Sequence, residues 1–275
     1  MGKINNTLYE LEKKGYSIIP NVIKKKDCDF LKEKLEKLHK SLKNNPNFID
    51  EGSKGGQIII RDLVMRDPKI FLKCISLSKI TNILNKIFND KFILNNIMAS
   101  NSLNVKNKFN RKIHIDSRLP INVFNLTTDV VATICLDNFE VKNGATKVWP
   151  GSQKSGIRIH HANKKITNRK FKHLTAQKGS VAITLGQTWH QVGKNLTNNS
   201  RWSILVHYQR WWMKPATDFT RCGSKIYKML TNEQKELFGF TSIIPKFDFV
   251  NKTKKVHTLR KVSSLNKVYY KNFNY

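Results

Sequence analysis

Acidic residues are scarce in this chain: 19 Asp and Glu stand against 50 Lys and Arg, a formal net charge of +31 at pH 7. Cysteine is scarce too, with four in 275 residues (Cys28, Cys74, Cys135, Cys222) and no CxxC pair. That spacing excludes a zinc knuckle and a disulfide framework, and it is expected of buried or free thiols in a reducing cytosol. No run of about 18 apolar residues exists, which excludes a transmembrane helix. The first six residues (Met1, Gly2, Lys3, Ile4, Asn5, Asn6) lack an apolar h-region, so no cleaved secretion signal is expected and the expected location is cytoplasmic. Internal repeats and clear linkers are also missing. What remains is ordinary: 39% hydrophobic and 25% charged residues describe a folded chain and not a disordered one.

The charge admits two readings. A net +31 suits a polyanionic partner such as nucleic acid. Yet the excess is mostly Lys, spread along the whole chain and interleaved with Asn and Ile, which a compositional bias produces in any protein of the same source. The bias is the preferred reading, so nucleic acid is not expected as a partner beyond non-specific charge attraction. Residues 251–275 carry seven Lys or Arg and no acid, with Tyr269, Tyr270, Phe273 and Tyr275 interleaved, and form a basic tail. A non-catalytic nucleic-acid binder that stacks bases on these aromatics is the rival from another class.

Hydrophobic periodicity divides the chain. Residues 1–91 read as a helical layer with one strand inserted. A short helix contains Leu8 and Leu11, is capped by Asn6 or Thr7 and ends at Gly15; Tyr16, Ile18 and Pro20 then alternate as a strand. Asp27 and Asp29 open a second helix, with Leu31, Leu35, Leu38 and Leu42 along one face and Glu33–Lys37 and Glu36–Lys40 pairs on the other. Ile80, Leu84, Ile87 and Phe88 mark a third. From about residue 92 the period falls to 2, with strands expected at Phe92–Leu103, Val130–Leu136, Ser180–Leu185 and Arg201–Tyr208. Residues 217–240 return to helix. One domain, residues 1–250, is expected, its β core spanning 92–215, with a sandwich or barrel packed against helices.

Three residues of the β region carry chemistry. His114 and Asp116 stand two apart, so on extended backbone both point to one face. His190, in Gly186-Gln187-Thr188-Trp189-His190, adds a second imidazole from a distant segment. Two His and one carboxylate on one face of a metal leave the other positions open, the facial triad of non-haem Fe(II) oxygenases. His-x-Asp alone is weak evidence. It is joined by Asn143-Gly144-Ala145-Thr146, Trp149-Pro150-Gly151-Ser152, Gly179-Ser180, then Gly193, Asn195 and, eleven residues after His190, Arg201.

With these motifs the sequence resembles the phytanoyl-CoA dioxygenase family of Fe(II)- and 2-oxoglutarate-dependent oxygenases, over roughly residues 8–215 and including Gly15-Tyr16-Ser17-Ile18-Ile19-Pro20. Gln153 departs from the family, which usually has His there. The resemblance implies a double-stranded β-helix (the jelly-roll of cupin-like proteins) with flanking α-helices, an α+β and mainly β fold. It implies Fe(II) held by His114, Asp116 and His190, with 2-oxoglutarate and O2 as co-substrates. It assigns Arg201 to the far carboxylate of 2-oxoglutarate, for which the planar guanidinium fork suits bidentate contact. Ser203 joins it on the same strand face, and Thr133 and Asn101 are expected near the co-substrate. A one-residue slip would turn either of the last two away.

Chemistry is expected to be iron-centred, with no separate acid or base residue. Halogenating relatives lack the carboxylate, so Asp116 implies hydroxylation of an unactivated C–H bond, or a related oxidation, with decarboxylation of 2-oxoglutarate to succinate. The expected substrate is a small molecule, with Arg118 and Trp149 as candidate substrate contacts; Arg118 and Lys112 suit an anionic one. Trp189 is expected in the core, His207 there or at the site, and His160-His161 in a loop. Nucleic-acid oxygenases of this superfamily typically carry a second Arg six residues after the co-substrate Arg. Position 207 is His, which weakens that alternative.

Overall fold

The computed structural model describes residues 3–43, 56–104, 112–117, 119, 126–156 and 170–241. Arg118, the His160-His161 pair, residues 242–250 and the basic tail 251–275 lie outside the described residues.

The first half of the chain supplies three main helices, α1 (Lys3–Lys14), α2 (Lys25–Lys43) and, after two single turns at Leu63–Arg66 and Pro68–Phe71, a third at Ser78–Phe88. Helix α1 begins earlier than Asn6 or Thr7 would dictate: both lie inside it, so neither caps it. Gly15 does end it. Its N–H reaches the Leu11 carbonyl at 2.9 Å in a left-handed conformation (φ 81°), and an added Cβ would stand 2.4 Å from Thr188 Oγ1. On α2, Leu31, Leu35 and Leu42 are buried and Leu38 packs against the same core, while Glu33 and Lys37 pair at 2.5 Å on the outer face. Ile80, Leu84 and Phe88 bury the third helix in the same way. The stripes read from the sequence therefore become the core.

Among the described residues nine strands follow in chain order: β1 (Tyr16–Ile19), β2 (Gln57–Arg61), β3 (Phe92–Ser102), β4 (Asp129–Cys135), β5 (Lys147–Val148), β6 (Lys172–His173), β7 (Val181–Leu185), β8 (His190–Gln191) and β9 (Arg201–Arg210). Six form one antiparallel sheet in the order β1-β7-β4-β9-β3-β2, and three form a small sheet, β6-β5-β8. The fold is thus an antiparallel β core with flanking helices, and the barrel is not closed. The helical layer and the β core are less separate than the sequence suggested, because β1 and the unanticipated β2 are both strands of the large sheet. The single helix expected over 217–240 is instead two short ones, Gly223–Tyr227 and Asn232–Leu237. Thr231 interrupts it by opening the second helix with a capping box to Gln234.

Strand alternation decides which side chains reach the site. On β9, Trp202, Ile204, Val206 and Tyr208 face the helices and are almost wholly buried, and the Tyr208 hydroxyl donates to the Ile75 carbonyl at 2.9 Å. Arg201, Ser203, Leu205 and His207 face the other way, into a cavity.

One carboxylate is buried where β4 meets β7. Asp129 is 6% exposed; its backbone carbonyl accepts from Gly186 N–H at 2.9 Å and its Oδ2 from the Thr128 hydroxyl at 2.8 Å. Burial pushes its pKa up to about 6, against the opposing pull of the Thr128 and Ser117 hydroxyls. A raised acid pKa in the folded state means that stability is complete at low pH and is lost as the pH rises from about 4, where the unfolded chain ionises, to about 6. Asp129→Asn removes that loss. Denaturant unfolding of the metal-free protein should show the variant gaining on the wild type by up to about 2–3 kcal/mol between pH 4 and pH 7; a pH-independent difference would place the charge elsewhere.

Candidate metal centre and its cavity

The two histidines are joined by their backbones. His114 N–H donates to the His190 carbonyl and His190 N–H to the His114 carbonyl, both at 2.9 Å, in an isolated antiparallel bridge. Residues paired in this way project their side chains to the same side, and the imidazole centroids stand 4.2 Å apart. A carbonyl can only accept, so each ring must donate from Nδ1: His190 to the Thr188 carbonyl at 3.0 Å, and His114 to the Lys112 carbonyl at 3.2 Å. That fixes the tautomer with the lone pair on Nε2 in both rings, the form a metal needs.

Asp116 is placed by the next contact. The N–H groups of Asp116 and Ser117 both donate to the Gly186 carbonyl at 2.9 Å, holding the His114–Ser117 segment against the turn that follows β7. Asp116 Oδ2 lies 3.5 Å from His190 Nε2. One ligand atom from each of His114, Asp116 and His190 falls within 4.8 Å of the others, and all three side chains are partly exposed to the cavity. A first-row divalent ion with bonds of about 2.1 Å at right angles holds neighbouring ligands about 3 Å apart, so these residues fit such an ion with small adjustments.

The Trp149–Ser152 motif clamps this segment from behind. Ser152 Oγ donates to the Trp149 carbonyl at 2.6 Å and accepts from Trp189 N–H at 2.8 Å; Trp149 N–H donates to the Trp189 carbonyl at 3.0 Å. Both indoles are buried and pack with Ile113 and Ile115. Trp189 is a core residue, as expected. Trp149 is 4% exposed and belongs to the same packing, so it braces the centre and is not among the residues that line the cavity. Gln153, the departure from the family pattern, donates to the Glu12 carbonyl at 2.9 Å and so satisfies the C-terminal end of α1, away from the centre.

The Asn143-Gly144 turn has a different task. Arg201, 4% exposed, donates from Nε to the Asn143 carbonyl at 3.2 Å and from Nη2 to the Gly144 carbonyl at 3.0 Å, and its guanidinium stacks on Phe139 with 3.8 Å from Cζ to the ring centroid. Three of its five N–H groups are left, and two of them form the Nη1–Nη2 edge that makes a bidentate fork. Burial pushes its pKa down to about 10. A buried cation in that position favours an anion as its ligand. Gly144 is needed for the approach: its φ is 85°, and a Cβ would stand 2.7 Å from the Gly193 carbonyl.

The triad and Arg201 open into one cavity of about 410 Å³. Of the other expected residues, Ser203 and Thr133 line it. Asn101 does not. It pairs with Ile58 and Trp202 on the face of β3 that carries Ile97 and Ala99 into the helical core, and Ser100 holds the cavity-facing position. This is the one-residue slip that strand periodicity allows. His207 and Lys112 line the cavity, and Arg118 is outside the described residues. Sequence reasoning missed Gln57, Ile59, Arg61 and Thr184, of which the first three sit on the unforeseen β2. The run Gln57-Ile58-Ile59-Ile60-Arg61 carries no polar–apolar alternation that could have signalled it.

Two histidines, a carboxylate and a buried arginine around one cavity in an antiparallel β core define an Fe(II)- and 2-oxoglutarate-dependent oxygenase. The sequence model of the family described as Phytanoyl-CoA dioxygenase (PhyH) matches residues 11–203, and the chain belongs to that family. Solved structures of the same fold include the epimerase SnoN in complex with Fe3+, alpha ketoglutarate and nogalamycin RO, at 15% identity and TM-score 0.59 over 75% of this chain and 83% of that one. HygX from Streptomyces hygroscopicus, with nickel and 2-oxoglutarate bound, aligns at 13% identity and TM-score 0.62 over 78% and 89%. The carbocyclase SnoK from nogalamycin biosynthesis aligns at 15% and 0.61 over 76% and 84%. At such identities the likeness is one of fold. No curated protein sequence matches. No helix among the described residues is long and apolar enough to cross a membrane.

The Ser152 clamp is testable by itself. Ser152→Ala strips the buried Trp189 N–H of its acceptor and should cost about 1–3 kcal/mol in denaturant unfolding. A loss below about 0.5 kcal/mol would mean that water or a shifted backbone replaces the hydroxyl.

Proposed function

We propose that the protein hydroxylates an unactivated C–H bond of a small molecule, with 2-oxoglutarate converted to succinate and CO2. The observation that carries this reading is the convergence of one ring nitrogen from each histidine and the Asp116 carboxylate at the cavity that Arg201 also lines. His114, Asp116 and His190 would hold Fe(II), and Arg201 would bind the far carboxylate of 2-oxoglutarate, assisted by Ser203 and Thr133. Bound together, iron, 2-oxoglutarate and O2 supply the oxidising power that no side chain has.

The protein's own contribution is placement and shielding. The Nδ1 hydrogen bonds hold both imidazoles aimed. The carbonyls of Asn143 and Gly144 orient the guanidinium before any ligand arrives, which lowers the ordering cost of binding. Val131, Val148, Leu174, Val192 and Leu205 give the walls an apolar lining that limits water at the reacting centre. No side chain is asked to act as a separate acid or base. Asp116 supports hydroxylation over halogenation, since the carboxylate occupies the position that a halide would need. Among the described residues nothing favours a nucleic-acid substrate over a small one.

Two substitutions test the assignment. His114→Ala and His190→Ala should each abolish Fe(II) retention and the Fe(II)-dependent conversion of 2-oxoglutarate to succinate, because two protein ligands hold the ion too weakly; full turnover in either would refute the triad. Arg201→Lys keeps the charge but loses the fork. Calorimetry should show 2-oxoglutarate affinity reduced roughly ten- to a hundredfold, about 1.5–3 kcal/mol. Unchanged affinity would move the carboxylate anchor elsewhere.

A further inference from the structure

Each imidazole of the centre is aimed through its own ring nitrogen, whereas Asp116 is aimed through its backbone. The segment that carries Asp116 is fixed on both sides. Before it stands the His114–His190 bridge, and after it Ser117, whose N–H joins that of Asp116 on the Gly186 carbonyl at 2.9 Å. Ser117 is buried and is not among the residues that line the cavity, so its side chain anchors the segment from the protein side.

Asp129 closes a circuit of contacts around this anchor. Its backbone carbonyl accepts from Gly186 N–H at 2.9 Å, and its carboxylate lies so close that a Cβ on Gly186 would stand 1.2 Å from Oδ1. Oδ2 accepts from the Thr128 hydroxyl at 2.8 Å. That bond uses the one proton of Thr128 Oγ1, so the 3.4 Å contact between the two hydroxyls runs from Ser117 to Thr128. The chain Ser117 to Thr128 to Asp129 is buried throughout and ends on a carboxylate, whose charge strengthens the bonds it accepts. The fold alone does not account for an acid here. Asp129 Oδ1 is buried without a hydrogen-bond partner, and burial disfavours its charge; the Asp116 carboxylate acts in the same direction, less strongly. A divalent cation on His114, Asp116 and His190 reverses that balance, because it neutralises one carboxylate and attracts the other.

We propose that Asp129 is a positioning residue of the metal centre, a carboxylate that holds no metal itself but fixes Asp116 for the ion through Gly186, Thr128 and Ser117. This role rests on the reading of His114, Asp116 and His190 as metal ligands, and it adds to them a residue that does not line the cavity. The unpartnered oxygen is then a cost to the empty fold that metal binding offsets.

The test titrates Co(II) anaerobically into the metal-free full chain, since Co(II) takes the same imidazole and carboxylate ligands as Fe(II) and its visible absorption reports their arrangement. Asp129→Asn should bind Co(II) about tenfold more weakly than the wild type, with an altered absorption band. The same variant should be the more stable one in denaturant at pH 7 without metal, whereas a merely structural role moves stability and affinity together. Ser117→Ala, which leaves the Asp129 charge in place, should weaken Co(II) binding about three- to tenfold and alter the band as well. Wild-type affinity and spectrum in either variant would overturn the positioning role. So would an affinity loss in Asp129→Asn that comes with a loss of stability. Should Asp129→Asn fail to fold, Ser117→Ala carries the test alone. Absence of Co(II) binding by the wild type would instead overturn the metal-centre reading itself.

Discussion

Two backbone hydrogen bonds, from His114 to His190 and back, are the constraint on which the centre depends. They connect residues 76 positions apart and set two imidazoles side by side before any ion is present. Everything around them serves to keep that pair in place. The Gly186 carbonyl holds the Asp116 end, and the Trp149–Ser152 clamp holds Trp189, one residue before His190. The six-stranded sheet supplies the rigid wall from which Arg201 looks into the same space. A site built on strands and short clamps is positioned more narrowly than one hung on loops alone.

The motifs that mark the family divide this labour. Asn143-Gly144 presents two carbonyls to Arg201, and only a residue without a Cβ admits the Gly193 carbonyl at that distance. Trp149-Pro150-Gly151-Ser152 braces the histidine segment. Neither motif supplies a candidate ligand itself. Their spacing in the sequence reflects the geometry of two anchors, one for the candidate co-substrate arginine and one for the candidate metal ligands.

Much of this was legible from sequence. The helical stripes on α2 and at Ser78–Phe88, the main strands within a residue or two, and the three residues that converge all followed from periodicity and motif. What escaped had a physical reason. Strand β2 is five residues long, and its hydrophobic run Ile58–Ile60 gives no period by which to tell strand from helix. Asn101 was read one position out of phase, because an eleven-residue strand specifies its register only through its partners β2 and β9. The C-terminal helix was broken by Thr231, whose capping box is local chemistry that overrides the apolar stripe. Net charge was the least informative feature of all. A value of +31 says little about function.

The central claim is that His114, Asp116 and His190 with Arg201 form a single centre for Fe(II) and 2-oxoglutarate. Anaerobic titration of Fe(II) into the metal-free protein tests it most directly, with the visible charge-transfer absorption of an iron-chelated 2-oxo acid followed with and without 2-oxoglutarate. The account predicts an absorption that needs both components and saturates at one iron per chain. Absence of that absorption with both components in excess, or saturation at a different stoichiometry, would contradict it.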